Sequence, residues 1–424
     1  MRLWLQDLIK FFKNNKNFFS MFLNIFLIAT LFISFLYSLS RTNKLILVPS
    51  CQFEENLEYE ATANVGTFIT DGEEPTEDEI ITFFNELFST RNKAFLTGNV
   101  EELYKFYDKS HTYSQYSLLH EFKRIAYLRD WANERAITFS TIESTPKIKD
   151  LKINNGTYSI VLSEEYKFKY FYKDTPDIIN DFGVVLLHTV DLKRVGNSFI
   201  VQKDYYLDCF QEGLKDYKFD LTEKEIPLTK FKTYNINFNR DSLNFDSNKI
   251  YDRKAAVNYA NKYCGISWAN DKSKGYNSNY YVYTASCGNC TNFISQCLAD
   301  KTEGGKLKQD KTWLYKPKSS KPPTVSETWV NSSKLINYLL NNNRCNLINT
   351  GNFEILMDSF PKIQPGDLIS YNINNSVEHS AIITGFDNKG YPLVNANSID
   401  KYQIPFDLGW SNDDITFSLL SITE

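Results

Sequence analysis

Histidine is scarce in this chain, which has only His111, His120, His188 and His379 among its 424 residues. The first three show no metal-ligand spacing, and we assign none of them a catalytic role. The sequence therefore predicts no metal ion and no other cofactor. A nucleophile in the C-terminal region has one local histidine as its base, His379.

A surplus of positive charge is also missing. The 51 aspartate and glutamate residues outnumber the 47 lysine and arginine residues, so the net charge is −4 at pH 7. The sequence has no basic face and no recognisable nucleic-acid motif, and nucleic acid is not a predicted partner. Nothing in the sequence specifies an oligomeric state.

Charged residues are absent between Lys16 and Arg41, and Phe18–Leu39 is almost continuously apolar. About 20 apolar residues suffice to span a bilayer, so we predict a transmembrane helix or signal anchor over residues 17–40. The basic segment 1–16 favours a cytoplasmic N-terminus, which places the remaining domains outside the cell, anchored to the cell membrane by a single span. The alternative is a secreted protein whose leader is cleaved near Ser38–Ser40.

The length and composition of the exported part predict two α+β domains, at residues 75–215 and 251–424, joined by linkers at 41–74 and 216–250. In the first domain, Thr76 and Glu79 form a capping-box pattern that opens a helix. The apolar stripe of this helix comprises Ile80, Ile81, Phe83, Phe84, Leu87 and Phe88. The acidic run around this helix start is better explained by the cap than by a cation site.

Further helical patterns follow in the first domain, at Val100–Tyr107 and Ser117–Arg135, and they precede three strand-like segments. These lie near Thr157–Leu162, Gly183–Leu192 and Ser198–Tyr206. Helices followed by an antiparallel meander are typical of an α+β domain. The order resembles the NTF2-like or cystatin-like cone fold, and this resemblance implies either a ligand in the concave face of the sheet or a structural spacer.

In the second domain, Cys290 lies where an apolar helix is predicted to begin, directly after Gly288-Asn289. Phe293, Ile294, Cys297 and Leu298 recur at helical spacing and predict one buried face. The positive end of a helix stabilises a thiolate. Cys290 is therefore a candidate nucleophile, and its backbone N–H is a candidate oxyanion donor; the alternative is a small buried residue that caps a core helix.

Strand patterns at Pro365–Tyr371, Glu378–Thr384 and Tyr391–Asn397 follow. If the last two pair as a hairpin, Asn397 lies roughly opposite His379, with Asn395 two residues away on the same face. Cys290, His379 and Asn397 then form a nucleophile, a base and an orienting residue, and Asn395 is the alternative third member.

The seven cysteines leave at least one unpaired within a single chain, which suits a free Cys290. Cys287-Gly-Asn-Cys290 is also a C-x-x-C motif, for which zinc or redox chemistry is an alternative. No second ligand pair and no thioredoxin-like setting accompanies it, although a Cys287–Cys290 disulfide would inactivate the nucleophile. Cys297 lies on the apolar stripe and is predicted to be buried and inert.

Together these segments resemble the bacterial putative amidase domain family, which is related to the NlpC/P60 and CHAP cysteine peptidases. The motifs are Tyr251–Ala260, Gly288–Leu298, Trp313, Trp329, Pro365–Ile369 and His379–Gly385. The resemblance implies a papain-like arrangement, with Cys290 as nucleophile and His379 as general base. Two positions depart from the family pattern: Asn289 replaces an aspartate, and Asn397 stands where a histidine is common.

The resulting hypothesis is a membrane-anchored cysteine amidase that cleaves amide bonds outside the cytoplasm, with peptidoglycan stem peptides or another peptide as substrate. The peptidoglycan assignment depends on the resemblance and the predicted location. A transpeptidase or acyltransferase would use the same Cys290–His379 site. A catalytically inactive envelope binding or scaffold protein is the alternative from another functional class.

Overall fold

The computed structural model describes residues 74–154, 156–222, 224–238, 250–269, 275–283, 289–317 and 323–423. The predicted membrane segment 17–40 lies outside these residues. Within them, no helix is both long and apolar enough to cross a membrane.

Helix α1, Glu77–Thr97, begins at the predicted capping box: Thr76 accepts a hydrogen bond from the Glu79 backbone, and Glu79 accepts one from the Thr76 backbone. The predicted stripe is buried except for Ile81, which is half-buried. The helix ends at Gly98, whose φ of 80° is left-handed and favours glycine. Local capping and hydrophobic spacing therefore explain both ends and the buried face.

A 3-10 helix at Glu101–Phe106 and helix α2 at Thr112–Glu134 come next, close to the predicted helical segments. Four antiparallel strands follow: β1 Ile137–Asn154, β2 Thr157–Tyr172, β3 Thr175–Val195 and β4 Ser198–Tyr206. The last three correspond to the predicted strand segments. The sequence pattern does not predict β1, because most of its residues after the first few are polar and exposed, as expected of an edge strand.

After the short helix α3, Gln211–Leu214, residues 216–222 and 224–238 run without helices or named strands along the surface of the domain. The segment is nevertheless anchored. Tyr217 and Thr229 both donate side-chain hydrogen bonds to Asp130 of α2, and Ile226 and Phe238 are buried. The described part of the predicted linker is therefore packed against the fold.

The C-terminal half begins with helix α4, Arg253–Lys262, which the Asp252 side chain caps by accepting the Ala255 N–H at 3.0 Å. The remaining helices are α5 Asn289–Ala299, α6 Glu327–Val330, α7 Ser332–Asn341, α8 Phe353–Leu356 and a 3-10 turn at Met357–Lys362. The strands are β5 Tyr315–Lys316, β6 Thr324–Val325, β7 Cys345–Gly351, β8 Leu368–Ile373, β9 Ser376–Phe386, β10 Pro392–Ala396, β11 Asp400–Pro405 and β12 Ile415–Ile422.

Among the described residues, ten strands form one antiparallel sheet in the order β1-β2-β3-β11-β10-β9-β8-β12-β7, with β4 beside β3. Strand β3 pairs with β4 through residues 188–195 and with β11 through residues 183–185. The predicted α+β class is confirmed as a mixed fold with a large antiparallel sheet. That sheet continues from the first predicted domain into the second, while the NTF2-like and papain-like assignments stay predictions.

Two hydrophobic cores cover the two faces of the C-terminal part of the sheet. We call one the α5-side core; it contains Phe293, Ile294, Cys297 and Leu298 together with Leu368, Ile382 and Leu420. We call the other the opposite core; it contains Ile369, Ala381, Ile383 and Leu419. Because successive strand residues face opposite sides, this division assigns each side chain of β9 to a face.

Candidate active site

Cys290 is the second residue of α5 and is 8% exposed. Its backbone N–H donates to Ser398 Oγ at 3.1 Å, and its sulfur lies 3.7 Å from Thr291 Oγ1 and 3.9 Å from Ser332 Oγ. The structure confirms the predicted helix, but all 11 of its residues are buried, so burial is not confined to the predicted stripe. The predicted oxyanion donor, the Cys290 N–H, is engaged by Ser398 in this structure.

Ser398 has a φ of 105°, which is rare for any residue other than glycine. Residues held in such conformations are costly and cluster at functional sites. The strained residue here is the one whose hydroxyl contacts the first turn of α5.

His379 lies on the opposite face of the sheet from Cys290. His379 pairs with Tyr371, and Ala381 pairs with Ile369 in the same regular register. Because His379 lies two residues from Ala381 along β9, its side chain points to the same face as Ala381, which is the face of the opposite core. Its ring stacks on Trp410, with 5.2 Å between centroids and 16° between planes, and also contacts Tyr371. No hydrogen bond joins the His379 and Cys290 side chains in the described part of the chain.

The local environment keeps the His379 imidazole neutral. Desolvation and then the charge of Lys401 lower the pKa of His379 to about 3. A neutral imidazole has a free lone pair, but such a low pKa makes it a weak base at neutral pH.

The expected position of the asparagines opposite His379 is wrong by one residue. Strand β10 pairs Asn395 with Ile382, and a register shift lies between Leu393 and Val394. A slip of one residue moves a side chain to the other face of a sheet. Asn395 therefore shares the face of Ile382, whereas His379 does not.

Asn395 has a structural environment that accounts for its hydrogen-bonding groups. Its Nδ2 donates to the Ala260 carbonyl and to Asn261 Oδ1 at the end of α4. Its Oδ1 accepts from Thr384 Oγ1 and from the Gln403 backbone. These contacts tie α4 to the sheet and leave Asn395 no role in orienting His379.

The sequence predicts Asn397 as the residue that orients His379, but Asn397 lines a small polar cleft beside the start of α5. Its Nδ2 donates to the Tyr263 carbonyl at 3.4 Å, whereas its buried Oδ1 has no hydrogen-bond partner among the described residues. Every residue of the cleft wall is uncharged, and most are tyrosines or carboxamides: Tyr263, Tyr276, Asn277, Tyr280, Tyr281, Val282, Asn289, Asn292, Gln296 and Asn397.

Two carboxylates lie behind this wall, each bound by a cleft tyrosine. The Tyr276 hydroxyl donates to Asp400 at 2.7 Å, and the Tyr280 hydroxyl donates to Asp300 at 2.9 Å. Desolvation raises the pKa of Asp400 to about 7. Neither aspartate was predicted from the sequence as part of the site, although Asp400 follows Asn397 closely along the chain.

Residues 250–420 match the family model described as "Putative amidase domain". We refer to these residues as the amidase region. A 170-residue segment is 29% identical to "Uncharacterized protein YhbB" of Bacillus subtilis (strain 168), covering 39% of this chain and 46% of that protein. The chain thus spans about half the length of this relative. No solved structure matches this chain.

The family match indicates amidase-type hydrolysis of C–N bonds by the amidase region. The described cysteines are free and buried: Cys209, Cys264, Cys290, Cys297 and Cys345. Burial raises the pKa of Cys297 well above its ordinary value, in agreement with an inert core residue. Cys287 lies outside the described residues, and those residues contain no cluster of metal-binding side chains.

The other histidines lie outside the amidase region. His111 Nδ1 lies 2.9 Å from the Gln202 carbonyl, and His120 Nε2 lies 2.8 Å from Asp208. His188 is buried between Asp204 and Glu164. Burial lowers its pKa, but these carboxylates outweigh that effect and raise the pKa of His188 to about 9. These contacts are local, and none reaches Cys290.

Proposed function

We propose that the amidase region is a cysteine amidase or peptidase in which Cys290 attacks the carbonyl carbon of an amide. The observation that carries this proposal is the position of Cys290 in the first turn of the buried helix α5, next to a polar cleft, within residues that match an amidase family. Helix N-termini favour the thiolate, which is the attacking form of cysteine.

The reaction follows from this assignment. The Cys290 thiol loses its proton to a base, the sulfur forms a bond to the carbonyl carbon, and the tetrahedral intermediate collapses when the leaving nitrogen takes a proton. Water then hydrolyses the acyl-enzyme and regenerates the thiol. A second acceptor in place of water would make the same site a transpeptidase or acyltransferase.

We retain His379 as the proposed base, a role in which its imidazole would have to reach the α5 side of the sheet. A bulge interrupts β9 next to His379: Tyr371 pairs with His379, but Asn372 pairs with Val377. Val377, beyond the bulge, packs against the α5-side core, so the bulge exchanges the two faces of the strand. Movement of the bulge past His379 would transfer the imidazole to the α5 side.

The proposed substrate is a peptide, and peptidoglycan stem peptides are the chosen class because the Phe18–Leu39 segment supports an extracytoplasmic location. Anchoring at the cell membrane, with the N-terminus in the cytoplasm, is part of the same proposal. If the leader is cleaved, the same reaction would take place in a secreted protein.

The test is the pH dependence of Cys290 alkylation by iodoacetamide in the folded full chain, followed by mass spectrometry. An activated nucleophile predicts a rate that has already reached its plateau near neutral pH and that changes in His379→Ala. Buried Cys297 is the internal control and should stay unlabelled until the protein unfolds. Hydrolysis of synthetic stem peptides should then disappear in Cys290→Ser and persist in Cys297→Ser.

A non-catalytic binding protein is the second candidate, and the separation of His379 from Cys290 across the sheet favours it. In that case Cys290 stays unlabelled in the folded protein, or its labelling rate still rises above about pH 8, as for an ordinary thiol. Either result would count against the amidase proposal.

A further inference from the structure

The cleft beside α5 combines two properties that together indicate what it binds. Its described residues present mainly uncharged polar groups, and they include a buried acceptor that no described residue supplies with a donor, Asn397 Oδ1. Asn397 is 3% exposed, so bulk water does not solvate this oxygen. A buried polar atom without a partner costs free energy, and a ligand that supplies the missing hydrogen bond recovers that cost.

The neighbouring groups in the wall direct their donors elsewhere. Tyr276 and Tyr280 donate to Asp400 and Asp300, behind the wall. Asn277 Nδ2 donates to the Tyr259 hydroxyl at 2.9 Å. The other carboxamide oxygens of the wall already accept hydrogen bonds: those of Asn277, Asn289, Asn292 and Gln296 accept from the Asn279 N–H, the Tyr283 N–H, Trp329 Nε1 and the Tyr259 hydroxyl. Among the described residues of the wall, Asn397 Oδ1 is the buried carboxamide oxygen left without a donor.

Asn292 and Asn289 extend this pattern along α5. Asn292 Nδ2 donates to the Tyr281 carbonyl and to Asn289 Oδ1, each at 2.9 Å. These bonds hold the wall in place next to Cys290 and occupy both N–H donors of the Asn292 side chain. The unpaired buried atom that remains in the described wall is an acceptor, Asn397 Oδ1, so the group that complements it is a donor.

The donor should be uncharged. A buried ammonium group needs a carboxylate in direct contact, but the wall contains none, and tyrosine hydroxyls already bind Asp300 and Asp400. The free space is also small, close to that of a single water molecule or N–H2 group. An amide nitrogen satisfies both conditions.

We infer that this cleft binds an amide N–H of the substrate, with Asn397 Oδ1 as the acceptor. This assignment rests on the proposed amidase function and deepens it: the substrate carries an uncharged carboxamide or peptide N–H at this position, and Asn397 determines specificity instead of orienting His379. Its neighbour Ser398 contacts the Cys290 backbone, so the bound amide lies beside the proposed nucleophile.

The test uses small probes and does not depend on catalysis. Acetamide and acetone have nearly the same shape, but only acetamide has N–H donors. Their dissociation constants for the folded full chain would be measured by ligand-observed NMR titration. We expect acetamide to bind about tenfold more tightly, the effect of one hydrogen bond to an otherwise unpaired buried acceptor.

Two variants identify the acceptor. Asn397→Leu has a similar volume and no acceptor, so the two probes should bind equally; circular dichroism checks that the variant is folded. Asn397→Asp keeps an acceptor oxygen and should keep the preference for acetamide. A preference that persists in Asn397→Leu would overturn the assignment of Asn397.

The remaining outcomes also decide the question. Equal binding of both probes to the wild type, or no binding of either, would overturn the inference and indicate a site for water only. Tighter binding of methylammonium than of acetamide would overturn the uncharged donor. The Cys290→Ala variant should keep the acetamide preference, so failure of the alkylation test and failure of this inference are distinguishable.

Discussion

Asp400 should make the stability of the fold fall as the pH rises. Desolvation raises the pKa of its carboxyl group from 3.8 to about 7 in the folded protein. At about 1.4 kcal/mol per pKa unit, this change corresponds to about 4 kcal/mol as an upper limit. Since the folded pKa is the higher one, the stabilisation is fully present below about pH 4 and is lost as the pH rises to about 7.

The Asp400→Asn variant isolates this effect. Neutral asparagine resembles the protonated acid, so both proteins should have similar unfolding free energies near pH 4. At pH 8 the unfolding free energy of the variant should exceed that of the wild type by up to about 4 kcal/mol. Urea denaturation of both proteins, followed by tryptophan fluorescence at each pH, measures the difference.

Tyr276→Phe is the matched control for this prediction. The Tyr276 hydroxyl bond lowers the pKa of Asp400 against the dominant effect of burial. Removal of the hydroxyl should therefore raise that pKa further and deepen the loss of stability at high pH. A difference between wild type and Asp400→Asn that does not change from pH 4 to pH 8 would refute the reasoning.

Three further predictions concern the same half of the chain. Gly265→Ala should lower the free energy of unfolding by at least about 1 kcal/mol, since its φ is +85° and a Cβ would lie 2.1 Å from Asp400 Oδ2. In thermal denaturation its melting temperature should fall by more than that of Gly275→Ala, where φ is +71° but no atom lies near the added Cβ. Arg253→Leu should lower the free energy of unfolding by about 3–5 kcal/mol in urea denaturation, because the buried Asp367 carboxylate loses its cationic partner and keeps only its bonds from the Gln364 and Ile422 backbone N–H groups. The His379 imidazole should stay neutral from pH 8 to pH 5 in nitrogen-15 NMR spectra, and a titration midpoint near 6.5 would contradict the desolvated position.

Features that depend on nearby residues were predictable from the sequence. The Thr76 and Asp252 caps and the buried stripe after Cys290 each involve contacts within a few positions along the chain. Helix ends and amphipathic faces follow from such local patterns.

The relation between Cys290 and His379 was less accessible, because it depends on strand register. Bulges in β9 shift its pairing with β8 and with β10 by single residues, and nothing in the alternation of these mostly apolar strands marks their positions. One such shift separates a side chain that faces α5 from one that faces Trp410. The role of Asn397 depends on an unpaired oxygen, which only the three-dimensional arrangement reveals.

The pairing of β3 with β11 has a practical consequence for work on the amidase region. A fragment that starts at residue 251 would keep β11 but lose the residues 183–185 that cover its outer edge. The N–H and C=O groups along that edge of β11 would then be free to pair with strands of other molecules, and the fragment would tend to associate edge to edge. The N-terminal half thus serves the amidase region as a shield against self-association.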